Sequence, residues 1–116
     1  AVDDEDFIAC LDIGHAALVR EDHGEFIKKL GNKRLKCLHV HDVDGVNDSH
    51  TLPYYGNINW EKVMKALAEI DYKGELTFEA DSFMDNKPDI LLPDCAKLMA
   101  KTGKHLVSQF ENYKKQ

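Results

Sequence analysis

The sequence predicts an α/β fold with a parallel sheet, because strand and helix patterns alternate three times along its 116 residues. Short apolar runs predict strands at residues 7–13, 34–42 and 75–81, and each is followed by a segment with apolar residues at helical spacing. Strands that alternate with helices are joined by right-handed crossovers and lie parallel. Polar residues close all three strands, which is where folds of this class place their functional sites.

Length and composition narrow the class of protein. The length allows one domain, and 43% hydrophobic with 31% charged residues is typical of a globular chain. A formal net charge of -6 argues against a nucleic-acid partner, since such binding depends largely on Lys and Arg. No apolar run approaches the about 20 residues of a membrane helix, and nothing reads as an export leader. With three cysteines in no metal-binding or CxxC spacing, we expect reduced thiols and a cytoplasmic protein.

The first unit combines a strand with a helix. The run at 7–13 is mostly apolar and stops at Gly14, as a buried strand does. Phe26, Ile27 and Leu30 then lie at helical spacing, and Gly31 is expected to end that helix.

The second and third units repeat this plan. The strand "RLKCLHVHD" leads into a polar loop at 43–58, and Asn59 is the expected N-cap of the helix "WEKVMKALAEI". The third strand, "ELTFEAD", leads through a polar loop at 82–89 into a final helix over about 92–113.

Each predicted strand has, at its carboxyl end, a residue that can bind a metal ion. These residues are Asp12 in the first strand, His39 in the second and Glu79 in the third. The carboxyl ends of parallel strands meet at one edge of a sheet, so we expect these side chains to converge. The period-two alternation of strand side chains also places them on one face. The other residues predicted on that face are Cys10, Leu35, Cys37 and Thr77. The opposite face, expected to pack against helices, carries Leu11, Leu38, Val40, Leu76 and Phe78.

Carboxylate and imidazole donors together suit a divalent cation such as Mn²⁺, Co²⁺ or Zn²⁺. Each residue alone has an ordinary explanation. Asp12 and His15 form a pair that is often incidental, a strand-end Glu is usually solvated, and a lone His is often a hydrogen-bonded core residue. All three strands end in such a residue, and all three residues are predicted on the same face of the sheet. This combination indicates a metal site.

Two segments carry a family resemblance: "LDIGHA", and "LHVHDVDGVNDSHTLPYYGNINWEKVMKALAEIDYKGELTFEAD". In order they contain D-x-G-H, H-x-x-D, D-x-H, a glycine before I-x-W, Y-x-G and a Glu. This string resembles the C-terminal half of the sugar phosphate isomerase/epimerase family. Those proteins are xylose isomerase-like TIM barrels related to the zinc-dependent abasic-site endonucleases. The resemblance implies that residues 1–116 are the C-terminal part of such a barrel, strands six to eight, incomplete alone.

The resemblance also implies a site. Asp12, His39 and Glu79 match three of the four usual ligands of a divalent metal ion, which would be Mn²⁺, Zn²⁺, Co²⁺ or Mg²⁺. Glu79 matches one of two carboxylates that move the substrate proton. His15 matches a catalytic residue that faces substrate and hydrogen-bonds the developing oxyanion.

The loop after the second strand carries further matches. Asp48 and His50 match a D-x-H element that is expected to hold substrate in the sugar enzymes and an additional zinc in the endonucleases. His41 stands where many members carry Lys, and its expected role is that of a loop or supporting residue. Tyr54 replaces the first of two family glycines, so Tyr54 and Tyr55 either line a substrate pocket or pack on the rim.

These matches predict a divalent-metal-dependent sugar or sugar phosphate isomerase/epimerase that moves a proton through an enediolate next to a carbonyl. A whole barrel takes about 250 residues and eight strands. The fourth ligand and the second carboxylate are absent here, so we expect this part alone to be inactive and to self-associate through open sheet edges. Two alternatives remain: a zinc phosphodiesterase like the abasic-site endonucleases, and a non-catalytic, self-associating piece.

Overall fold

Three parallel strands, adjacent in their order along the chain, form one sheet in the computed structural model, which describes residues 4–116. The strands are β1 (Ala9–Asp12), β2 (Leu35–Val40) and β3 (Thr77–Phe78). The helices are α1 (Ile13–Leu18), α2 (His23–Arg34), α3 (Trp60–Glu69) and α4 (Leu92–Lys114). Two 3₁₀ helices, Asp81–Met84 and Asp89–Leu91, join β3 to α4. The predicted α/β class with parallel strands is confirmed, whereas α1 and the 3₁₀ helices were not predicted.

The sheet buries one face against the helices, as the alternation predicts. Leu11, Leu38 and Val40 are almost fully buried in a core that α2 and α3 complete with Ile27 and Trp60. Burial of such large apolar side chains is the main stabilising term, at about 1.5–3 kcal/mol each.

Leu35 departs from the predicted pattern. It belongs to this core and is only 1% exposed, although strict alternation from His39 places it on the opposite face. The β1–β2 register is irregular between Ala9 and Cys10, whose partners are Leu35 and Cys37. One extra residue in β2 at this irregularity changes the face on which Leu35 lies, so that prediction is wrong.

Side-chain caps begin three of the helices. Asp12 accepts the His15 N–H, Asp22 accepts the Glu25 N–H, and Asn59 accepts the Lys62 N–H. The predicted N-cap of α3 is therefore confirmed. The expected end of α2 at Gly31 is wrong: Gly31 interrupts the helix with a φ of 64°, which glycine adopts at little cost, and α2 continues to Arg34.

The long loop between β2 and α3 is organised around the buried carboxylate of Asp42, whose side chain is 0% exposed. Its Oδ1 accepts the N–H groups of Val43 at 2.9 Å and Ile58 at 3.1 Å. Its Oδ2 accepts the N–H of Tyr54 at 2.9 Å and the indole N–H of Trp60 at 2.7 Å. Four donors therefore compensate a charge that would otherwise be costly to bury.

Gly56 lies directly against this carboxylate. A Cβ at this position would come within 2.3 Å of both Asp42 Oδ1 and the Val43 carbonyl oxygen. No side chain fits there, which explains why "PYYG" keeps its glycine.

Within residues 4–116, no helix combines the length and apolar character needed to cross a membrane.

We expect Asp42→Ala to lower the free energy of unfolding by about 3–5 kcal/mol, because it leaves several buried N–H groups without an acceptor. The measurement is urea denaturation followed by circular dichroism. The matched control is Asp94→Ala, in the first turn of α4, where the side chain is 76% exposed. The control should lose less than about 1 kcal/mol. Equal losses in the two variants would contradict the organising role of Asp42.

Candidate metal centre

Asp12, His39 and Glu79 come together at the carboxyl edge of the sheet. Asp12 and His39 are direct partners in the β1–β2 register, and the Glu79 N–H bonds to the Val40 carbonyl oxygen at 3.0 Å, just past β3. One potential ligand atom from each of the three side chains lies within 4.8 Å of the others. His39 Nδ1 and Glu79 Oε2 are 3.2 Å apart. The structure thus places the three predicted ligands in one group.

One oxygen in this group has no hydrogen-bond partner among the described residues. Glu79 Oε2 is buried and has no hydrogen-bond partner among the described residues, because the approach of His39 does not have hydrogen-bond geometry. A buried polar atom without a partner is destabilising. A divalent cation at this point would satisfy it, and two carboxylates with one imidazole are suitable donors for such an ion.

Asp12 links this group to two further histidines. Its Oδ1 accepts the His15 N–H at 2.8 Å and lies 2.9 Å from His41 Nε2, and its Oδ2 lies 2.9 Å from His15 Nδ1. Partial burial would raise the pKa of Asp12, but the His15 N–H and the charges of His41 and His15 hold that pKa below its usual range. Asp12 is therefore a carboxylate at neutral pH and able to bind a cation.

A second group lies beside the first and contains His15, His41, Asp48 and His50, with one potential ligand atom of each within 4.8 Å of the others. Asp48 bridges two of the rings, with His15 Nε2 at 3.0 Å and His50 Nε2 at 3.1 Å from its two oxygens. The Nδ1 of His50 is 3.0 Å from the Glu79 carbonyl oxygen. The predicted substrate residues His15, Asp48 and His50 thus meet next to the predicted metal ligands.

The expected role of His41, that of a loop or supporting residue, stays a prediction; the structure places its ring in this group, with Nε2 2.9 Å from Asp12 Oδ1. His41 is fully buried, its ring stacks on that of His50 at 4.0 Å, and its Nδ1 has no hydrogen-bond partner in the described part of the chain. A Cβ on Gly14 would come within 2.0 Å of this ring, which explains the glycine of "DIGH". The signal was present in the sequence, because His41 follows His39 by two residues and therefore continues the same face.

Two cysteines also lie next to His39. Cys10 and Cys37 are direct partners in the β1–β2 register, and their sulfur atoms form a third group with a ring nitrogen of His39. Burial and the hydrogen bond with Cys37 raise the pKa of the Cys10 thiol to about 11. No role was predicted for either cysteine.

The side chains of Tyr54 and Tyr55 are both largely exposed. The Tyr54 hydroxyl donates to Gln109 Oε1 of α4 at 3.2 Å, and the Tyr55 ring lies 5.2 Å from that of Phe83. Their side-chain contacts are thus with the elements that follow β3.

In the metal-free protein we expect His15 to titrate above the usual value of about 6.5. The hydrogen bond with Asp48 raises the pKa of His15, and the same contact lowers the pKa of Asp48. The stabilisation from this pair is therefore fully present below about pH 6.5 and disappears as the pH rises through the raised pKa of His15. The measurement is NMR of the His15 ring protons with a chelator present.

Asp48→Asn should move the pKa of His15 down. Asp85→Asn removes the same charge from an exposed position outside these groups and is the matched control. A pKa of His15 that stays in place when Asp48 is changed would contradict the pairing.

Comparison with known proteins shows the family to which the chain belongs. A family model described as "Xylose isomerase-like TIM barrel" matches residues 1–101. The chain is 36% identical over 75 residues to the uncharacterized protein y4fM of Sinorhizobium fredii. It is 35% identical over 86 residues to the uncharacterized protein MJ1311 of Methanocaldococcus jannaschii, and 33% identical over 63 residues to the fructoselysine 3-epimerase of Escherichia coli O157:H7. These matches cover 64%, 72% and 54% of the chain but only 24%, 29% and 22% of the relatives.

Two solved structures share the fold. A D-tagatose 3-epimerase-like protein is 27% identical with a TM-score of 0.59 over 86% of this chain and 38% of its own. An L-ribulose 3-epimerase is 20% identical with a TM-score of 0.66 over 93% of this chain and 37% of its own. Both agree with the resemblance that the strand-end motifs carry. The chain therefore belongs to the xylose isomerase-like TIM barrel family.

Proposed function

We propose that this chain is the C-terminal part, strands six to eight, of a divalent-metal-dependent sugar isomerase/epimerase. The observation that carries the proposal is the group of Asp12, His39 and Glu79, in which Glu79 Oε2 is buried without a hydrogen-bond partner among the described residues. Similar proteins support the class of substrate. D-tagatose and L-ribulose are ketoses, and carbon 3 of a ketose lies next to the carbonyl carbon.

Asp12, His39 and Glu79 are the residues that would hold the ion, with a fourth ligand from elsewhere in the barrel. A divalent cation held there would supply Lewis-acid chemistry, the polarisation of a carbonyl and the stabilisation of negative charge on neighbouring oxygens. Glu79 is also the proposed base. Its side chain is 40% exposed, so one part of it faces the open side of the sheet, where a substrate C–H would lie within hydrogen-bond reach.

His15 is the proposed electrostatic partner. Its side chain is 51% exposed, and Asp48 favours its protonated form through a 3.0 Å contact. The positive charge of a protonated imidazole would stabilise the oxyanion that forms as Glu79 removes the proton. A hydrogen bond to that oxyanion would require one ring N–H to leave its carboxylate partner, Asp12 at 2.9 Å or Asp48 at 3.0 Å. Asp48 positions His15, and His50 is proposed to contact substrate from the same loop.

Epimerisation requires proton transfer on both faces of the substrate carbon, so Glu79 needs a second carboxylate opposite it. We propose that other strands of a complete barrel supply this group and that residues 1–116 alone do not turn over. We also propose that the open edges at β1 and β3 favour self-association when those strands are not supplied.

One observation favours a second candidate, a zinc phosphodiesterase like the abasic-site endonucleases. The group of His15, His41, Asp48 and His50 lies next to the proposed metal ligands, and such adjacent groups could hold more than one zinc ion. The net charge of -6 weakens this candidate.

We expect Mn²⁺ to raise the melting temperature of the chain by several degrees, because an ion that binds only the folded state stabilises it. His39→Ala should abolish that shift, whereas Asp48→Asn and His105→Ala should keep it. His105 is an exposed histidine of α4 and serves as the matched control. A shift that persists in His39→Ala, or that is lost only in Asp48→Asn, would contradict the proposed ligand set.

The reaction is tested on the natural protein that contains this chain. In D₂O we expect deuterium to enter a ketose at the carbon next to the carbonyl, and Glu79→Gln should slow this exchange by about 10²–10⁴-fold. Glu75→Gln, an exposed change just before β3, should leave the exchange rate unaltered. Incision of abasic duplex DNA without such exchange would support the phosphodiesterase instead.

A further inference from the structure

The strongest unassigned feature is a pair of thiols beside His39. Cys10 on β1 and Cys37 on β2 face each other directly in the register, two residues before Asp12 and His39 on their strands. The two sulfur atoms and one ring nitrogen of His39 all lie within 4.8 Å of one another. Both cysteines are free thiols, and Cys10 is exposed. The group is therefore preformed on the sheet and open to ions from solution.

The chemistry of these donors differs from that of the carboxylate group. Two sulfurs and one imidazole favour soft or borderline cations such as Zn²⁺, Cd²⁺ and Cu⁺, whereas carboxylates favour harder ions such as Mn²⁺ and Mg²⁺. In a tetrahedral site, Zn–S bonds of about 2.3 Å and Zn–N bonds of about 2.0–2.1 Å place ligand atoms roughly 3.5–4 Å apart. Small side-chain rotations would bring these three donors to that spacing.

We propose that Cys10, Cys37 and His39 form a binding site for a thiophilic cation, with the fourth position open to water. The strands hold the two cysteines at the spacing of adjacent strands, about 4.7–4.9 Å, so binding needs no rearrangement of the backbone. Each thiol that binds releases its proton to solvent, and no redox change takes place.

Because His39 also belongs to the carboxylate group, an ion bound at the thiol site would affect the proposed function. A neutral imidazole has one free lone pair, so His39 serves either the thiol pair or the carboxylate pair at one time. A soft cation at Cys10 and Cys37 therefore removes a ligand from the carboxylate site and weakens its hold on Mn²⁺. This consequence rests on the proposed function, whereas the thiol site itself does not.

The test is a Cd²⁺ titration of the chain with a phosphine reductant present, followed by the ultraviolet charge-transfer band of Cd²⁺–thiolate bonds. The wild type should develop this band at one equivalent. Cys10→Ser, Cys37→Ser and His39→Ala should each weaken Cd²⁺ binding by at least about tenfold. Cys95→Ser should bind like the wild type, because Cys95 is buried in a separate cluster with Leu52 and Phe83.

A wild type without the band, or a band that survives in both Cys10→Ser and Cys37→Ser, would overturn the site. Circular dichroism establishes that each variant is folded. Asp12→Asn separates the two proposals: it should keep the Cd²⁺ band and lose the Mn²⁺-induced rise in melting temperature. If the wild type shows the band without any response to Mn²⁺, the thiol site stands and the proposed carboxylate site fails.

Competition between Cd²⁺ and Mn²⁺ for His39 can be measured separately. Cd²⁺ added to the Mn²⁺-loaded chain should release free Mn²⁺, which electron paramagnetic resonance detects. Mn²⁺ that stays bound while the Cd²⁺ band forms would show that His39 is not shared between the two ions.

Discussion

The buried carboxylate of Asp42 is the constraint on which the rest of the site depends. It accepts hydrogen bonds from three backbone N–H groups and the Trp60 indole, and it has no exposed surface. A carboxylate buried in this way is stable only if the chain surrounds it with donors. The loop after β2 is therefore obliged to fold back past Asp42 before α3 begins, and Gly56 provides the space for this path.

This path is what brings the second group to the sheet edge. The same loop carries Asp48 and His50, which reach His15 on α1 and the carbonyl oxygen of Glu79. The backbone bridge between Asp42 and Thr51 closes the segment that holds both residues. The contacts among Asp12, His15, Asp48 and His50 then form one continuous polar network. A network in which carboxylates already orient the imidazoles needs little reorganisation to receive an ion or a sugar.

The sheet concentrates three kinds of metal donor within a few residues. Carboxylates, imidazoles and thiols all occur on the face opposite the apolar core, and His39 belongs to two of the three groups. Because a residue at a strand end has neighbours both across and along the sheet, one histidine can lie within reach of hard and soft donors. Which ion the proposed sites would take depends on ligand chemistry and on metal supply as much as on geometry.

The sequence by itself determined the alternation of strands and helices, the cap at Asn59 and the convergence of Asp12, His39 and Glu79. Each of these follows from a local rule: a period of two or 3.6 residues, a capping preference, or the position of a residue at a strand end. The catalytic and ligand roles of these residues stay predictions. Only the tertiary structure decided that Leu35 lies in the core, that His41 is buried against Gly14, and that Cys10 faces Cys37. Those outcomes depend on the irregular β1–β2 register and on contacts between residues 27 positions apart, which the periodicity within one strand does not specify.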